Sequence, residues 1–260
     1  MEKSTGEEPS RAGELRPEKR AIGGDLPGNL PAKTGPRRLA PADLADCLAL
    51  SSEAGWNQTE ADWAFMLKNG TAWGLSDAED RVVATVIGLA WPGCLWWAMV
   101  LVKQALRGQG LARDLLEAVG MGGAGKAPEM LDATSLGQPL YERRGFRTVE
   151  TFSRMSGKAP VHAASRTEAS RLDRLDPLER QTWWKREAAA SGWGMRDCLL
   201  AYLAESYPEA ALCLAGADGE AAVWCAAGRK ATQVGPLVAD HASRACLLLE
   251  AVLQRGSGPI

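Results

Sequence analysis

Met99-Val-Leu-Val-Lys-Gln-Ala-Leu-Arg-Gly-Gln-Gly-Leu-Ala112 passes from an apolar run into a glycine-rich turn and then into a helix-forming stretch. The run Leu95–Val102 is apolar on both faces and reads as a central strand. Gly108 and Gly110 allow the chain to turn tightly and let its backbone approach an anion. The first helical N–H groups, from Gln109 to Ala112, then point outward from the positive end of the helix dipole. Arg107 adds a charged donor at the same turn. A strand, a glycine turn and a helix N-terminus in that order nominate a pyrophosphate site. The bland alternative is an ordinary turn with two glycines.

About thirty residues further on, Leu131-Asp-Ala-Thr134 precedes Tyr141-Glu-Arg-Arg-Gly-Phe146. Arg107-x-x-Gly110-x-Ala112 resembles the acetyl-CoA loop of the GNAT (GCN5-related) N-acetyltransferases, and Tyr141–Phe146 resembles their Tyr-Glu-x-x-Gly-Phe helix and following strand. The resemblance implies an α/β (α+β) GNAT fold, a mixed and mostly antiparallel sheet flanked by helices. It also implies direct attack of an amine on acetyl-CoA in a ternary complex. It assigns cofactor contacts to Val100, Leu101, Val102, Arg107, Gly108, Gln109, Gly110, Leu111 and Ala112, and the general-acid phenol to Tyr141. The alternative for Tyr141 is a packing tyrosine that touches the cofactor. Trp56 and Asn57 fall where the family lines its acceptor cleft, although Trp56 reads equally as a core residue. The strand 95–102 has no Asp or Glu, so the base is water or a carboxylate from elsewhere, such as Glu53 or Asp62. The implied acceptor is a small amine or a peptide amino group. The opposing reading is a non-catalytic acyl-CoA-binding or scaffold protein.

Composition narrows the classes. With 260 residues, a net charge of −2 and 46% hydrophobic residues, the chain can bury one large or two small cores. No run of about 18 apolar residues is present and the N-terminus is polar, so no membrane span and a cytoplasmic location are expected. Cys47, Cys94, Cys198, Cys213, Cys225 and Cys246 are scattered without Cys-x-x-Cys pairs, and His162 and His241 lack ligand spacing. Reduced thiols and no metal site are expected on that basis. Acids balance bases along the chain, and no basic stripe marks a nucleic-acid binder.

Residues 1–36 read as a disordered tail and 37–156 as the GNAT domain. Within the latter the pattern predicts a strand at 37–40, a helix from Pro41, and a helix over 59–69 capped by Thr59 with Asp62 in a capping box. Strands at 72–75, 82–90 and 95–102 form a meander, followed by a helix over 111–119, a strand at 129–133, a helix at 138–144 and a last strand at 146–155. Gly120-Met-Gly-Gly-Ala-Gly-Lys126 mimics a Walker loop, but it follows a helix, and Ala127 and Pro128 stand where the hydroxyl and the helix should be. It reads as a helix-to-strand loop.

Residues 157–170 read as a linker and 171–260 as a partial GNAT-like repeat. Helices at 177–189 and 195–205, strands at 211–215, 221–226 and 232–238, and a helix at 242–254 repeat the earlier order. Leu115-Leu-Glu-Ala-Val119 even recurs as Leu248-Leu-Glu-Ala-Val252. Ala239-Asp-His-Ala-Ser-Arg244 replaces the glycine turn, so this half is expected to be non-catalytic. Acceptor identity and oligomeric state are not encoded in any of these patterns.

Overall fold

The computed structural model describes residues 35–123, 127–157, 169–255 and 259. The expected tail lies almost wholly outside this range, as do most of the expected linker and part of the Walker-like loop.

The expected meander forms. Arg37–Arg38 (β1), Thr71–Ser76 (β2), Val82–Trp91 (β3) and Cys94–Val102 (β4) pair antiparallel in sequence order, and Glu129–Leu131 (β5) adds a parallel edge strand. Helices α1 (Leu44–Glu53) and α2 (Glu60–Asn69) cover one face, with Trp63 fully buried and its Nε1–H donated to Ser51 Oγ at 2.9 Å. The Thr59–Asp62 capping box is present. Helix α3 (Leu111–Ala118) covers the other face through Leu115 and Leu116. It stops at Gly120, which takes a left-handed φ of 74° while Met121 N–H returns to Leu116 O. Helix α4 is Gln138–Glu142.

A second sheet repeats this order. Ser170–Arg171 (β6), a short 3-10 turn, α5 (Pro177–Ser191) and α6 (Asp197–Ser206) precede Leu212–Leu214 (β7), Ala221–Ala226 (β8) and Gln233–Ala239 (β9), and α7 (Ala242–Arg255) closes it. Two expectations fail. No strand is expected at the boundary of the linker (157–170) and the second half (171–260), yet Ser170–Arg171 is the first strand of this sheet. The expected strand at 146–155 does not form: the segment is irregular and exposes Val149, Phe152 and Met155. Its apolar residues recur every third position, a spacing that fits no single sheet face.

The second sheet's elements pack on the α1–α2 side of the first. Phe65 stacks on Tyr202 with centroids 4.6 Å apart, and Tyr202 donates its hydroxyl to Asp62 Oδ1 at 2.7 Å. Trp193 meets Trp96 edge to face, and Gly93 N–H donates to Trp193 O. The β8–β9 loop wraps Asn57. Its Nδ2 donates to Ala231 O at 2.8 Å, and its Oδ1 accepts Lys230 N–H at 2.8 Å. A Cβ on Gly228 would stand 1.9 Å from Asn57 Nδ2 and 2.4 Å from the fixed Ala231 carbonyl. Gly228→Ala is therefore expected to lower the unfolding free energy by about 2 kcal/mol, read from the urea midpoint, because the backbone on one side cannot yield.

Candidate functional site

Strand β4 is bulged. Thr85 faces Leu101 and Ile87 faces Ala98, so two residues, Met99 and Val100, oppose the single Val86. Met99 takes φ 53°, and its carbonyl accepts the Thr85 hydroxyl at 2.7 Å. β5 pairs with β4 only from Leu95↔Glu129 to Trp97↔Leu131. Beyond Trp97 the β5-facing edge of β4, including Val100–Val102, has no strand partner among the described residues. Its backbone groups, apart from the Val102 carbonyl that accepts from Arg107, are there to hold an extended ligand arm.

The glycine turn comes directly after β4. Gly108 and Gly110 have φ of 80° and 83°, a region that only glycine enters freely, and Gly110 caps α3. The N–H groups of Gly108, Gln109, Gly110, Leu111, Ala112 and Arg113 find no acceptor among the described residues, and the first bond of the new helix is Asp114 N–H to Gly110 O. Six donors in one turn at a helix N-terminus match the requirement of a pyrophosphate. Arg107 donates Nε–H to Val102 O at 3.1 Å and takes no acidic partner among the described residues, so its guanidinium is available to an anion. Glu53 Oε2 accepts Gln104 N–H at 2.8 Å and ties the end of α1 to the entry of the turn.

Tyr141, on α4, is 8% exposed and meets Phe146 edge to face. It shares an apolar cluster with Val100, Val102, Leu111 and Leu115 on the α3 side of the sheet. Burial pushes its phenol up to about 12. The group therefore keeps its proton at every physiological pH.

Thus the structure brings together the β4 segment 100–102, the turn 107–112 and Tyr141. It sets Trp56 and Asn57 apart, on the α1–α2 face. Trp56 is half-buried beside the Leu101 cluster, and the Asn57 side chain is taken up by residues 230 and 231. Asp62 is likewise committed to Thr59 and Tyr202. Sequence reasoning missed the Met99 bulge, which has no local signature. It also passed over Asp132, the residue directly after the last paired position of β5, whose carboxyl partial burial holds above the ordinary range while Arg154 opposes the shift. Among the described residues no group of three His, Cys, Asp or Glu side chains could hold a metal, and no helix is long and apolar enough to cross a membrane. The cysteines are unpaired, with Cys198 and Cys246 exposed and the other four buried.

In a difference titration against Tyr141→Phe, read by tyrosinate absorbance, the Tyr141 phenol is expected to stay protonated through about pH 10.5. Ionisation below about pH 10 would contradict the burial argument.

Residues 68–148 match the family model described as an acetyltransferase (GNAT) domain, a span that holds β2 to β5, the glycine turn and Tyr141. Among solved structures, a candidate acetyltransferase from Pyrococcus horikoshii superposes with a TM-score of 0.62 at 19% identity, over 88% of this chain and 80% of its own. An acetyltransferase from Trypanosoma brucei covers 46% of this chain and 96% of its own, at 20% identity and a TM-score of 0.38. Glucosamine-6-phosphate N-acetyltransferase from Arabidopsis thaliana covers 46% and 95%, at 14% identity and a TM-score of 0.37. The Pyrococcus likeness is one of fold. No curated protein matches the chain in sequence.

Proposed function

We propose, from the match of residues 68–148 to the GNAT acetyltransferase domain model, that the chain is an acetyl-CoA-dependent N-acetyltransferase acting on a primary amine of a small molecule or peptide. The observation that carries the reading is the conjunction of a β4–β5 gap with a turn of six unpartnered N–H groups at its end. In this reading residues 108–112 and Arg107 hold the pyrophosphate, and the free edge of Val100–Val102 aligns the pantetheine arm and polarises the thioester carbonyl. The bound cofactor supplies an activated acetyl group. Tyr141 donates a hydrogen bond to the sulfur as it departs. Deprotonation of the amine falls to solvent, because β4 carries no carboxylate and Glu53 and Asp62 are engaged elsewhere.

That lack of a carboxylate supports a second reading, an acyl-CoA-binding protein without turnover. Thiol release across a panel of polyamines, amino acids, aminoglycosides and peptide N-termini separates the two: release with any of them favours the enzyme, while acetyl-CoA binding without release favours the second. We also infer that residues 171–260 are a repeat of the first half that has lost its phosphate turn. Eight residues separate β4 from α3, whereas two separate β9 from α7.

Gly110→Glu is expected to abolish acetyl-CoA binding in calorimetry. It places a carboxylate against the pyrophosphate and forces a side chain onto a left-handed φ; unchanged affinity would refute the assignment of the turn. Tyr141→Phe is expected to lower kcat about tenfold or more with little change in acetyl-CoA affinity. A wild-type rate would remove Tyr141 from the mechanism.

A further inference from the structure

Helix α3 ends at Ala118, and the first sheet continues past it. A cavity of about 420 Å³ opens on the uncovered part of this face, between the sheet and the turn after α3. That volume lies within the range of small-molecule sites. Its lining includes Thr71 and Trp73 of β2, Gly88 of β3, Trp97 of β4 and Glu129 of β5.

Strand register builds the site. Gly88 pairs with Thr71 on one side and Trp97 on the other, so these residues stand in a row across the sheet. A Cβ at position 88 would lie 3.1 Å from Trp97 Cζ3, and its absence lets the indole settle over the β3 backbone. Trp97 donates Nε1–H to Glu129 Oε2 at 2.6 Å, and Gly122 N–H donates to the same oxygen at 2.8 Å. Glu129 Oε1 accepts from nothing among the described residues, and no lysine or arginine among them pairs with this carboxylate. Hydrogen bonding of the indole N–H to an anion enriches the ring face in electron density, which strengthens its attraction for a cation. Trp73 already receives one: the Arg38 guanidinium carbon stands 5.0 Å from its ring centroid.

We propose that this cavity binds a compact monovalent organic cation, an alkyl- or quaternary ammonium. The indoles of Trp97 and Trp73 line the cavity where the charged head and its apolar substituents would sit, and Glu129 supplies the counter-charge. An anion would be repelled by Glu129. A divalent metal would find one carboxylate where it needs several oxygen ligands. A neutral apolar molecule would leave the carboxylate uncompensated. The site is distinct from the glycine turn, since Gly110 caps the first residue of α3 and the cavity lies beyond its last, about 12 Å along an eight-residue helix. The inference does not depend on the acetyltransferase reading.

The test is calorimetric titration of the full chain with choline chloride, with 3,3-dimethylbutan-1-ol as the neutral isostere, at constant chloride. Saturable choline binding is expected, with the alcohol at least tenfold weaker. Glu129→Gln keeps an oxygen to accept both N–H groups and removes the charge, so it is expected to weaken choline at least tenfold. Thr71→Arg, at the exposed first residue of β2, puts a tethered cation at the mouth and is expected to abolish binding even if the first variant proves unstable. Gly110→Glu is expected to leave choline affinity unchanged. No saturable heat, equal affinity for choline and the alcohol, or unchanged choline affinity in Glu129→Gln or Thr71→Arg would overturn the proposal. Loss of choline binding in Gly110→Glu would overturn it too, by moving the ligand to the glycine turn.

Discussion

One extra residue in β4 governs the first half of the molecule. A methionine at φ 53° is uncommon and costs about 1–2 kcal/mol relative to extended backbone. Met99 is held there by the Thr85 hydroxyl on its carbonyl and by packing against the α1–α2 core. The bulge changes the course of β4 after Ala98, and β5, which runs parallel to it, keeps pairing only through Leu131. Had β4 remained regular, β5 could have zipped along it and consumed the very backbone groups that the gap leaves free. The strained residue and the turn proposed to bind an anion belong to one continuous piece of chain, running from the bulged pair through the end of β4 into the glycine turn.

The same irregularity recurs in the second sheet, where Val223 faces Leu237 and Cys225 faces Val234, so β9 bulges at Gly235 and Pro236. The two bulged strands lead into different turns. After β9 the chain enters α7 within two residues, and Asp240 in that short link accepts Glu220 N–H and an Arg186 guanidinium hydrogen. A carboxylate stands where the first half presents donors. The two sheets therefore share a bulged strand, and the chain after β9 lacks the glycine turn that follows β4.

Much of this was legible in the sequence because it rests on local rules. Apolar runs over 82–90 and 95–102 marked the meander, Thr59 and Asp62 marked the start of α2, and Gly108 and Gly110 marked the turn, each a pattern whose physics lies within a few residues. The illegible features depend on distant partners. Nothing near Asn57 says that its amide meets residues 230 and 231, which lie 173 and 174 positions away. Ser170–Arg171 is too short to show a period and becomes a strand only because Leu212 and Cys213 lie beside it. Residues 146–155 erred the other way: the segment is rich in residues that favour strands, yet no described strand pairs with it, and propensity without a ladder does not make a sheet.

The seam between the two halves braces α1 and α2 from outside. Asp62 must satisfy the N-terminus of α2, which occupies one carboxylate oxygen and leaves the other on the outer surface; Tyr202 from α6 takes it, and stacks its ring on Phe65 one turn further along. Trp193 covers the exposed edge of Trp96, and the 228–231 loop satisfies the hydrogen-bonding capacity that the α1–α2 junction turns outward at Asn57. Each of these groups would otherwise be an apolar ring, a carboxylate oxygen or an amide facing solvent on the side of the sheet that Met99 packs against. Bracing α1 and α2 from outside holds the core that keeps Met99 in its left-handed conformation, so the second half acts on the candidate site through packing, without contributing an atom to the turn proposed to bind the anion.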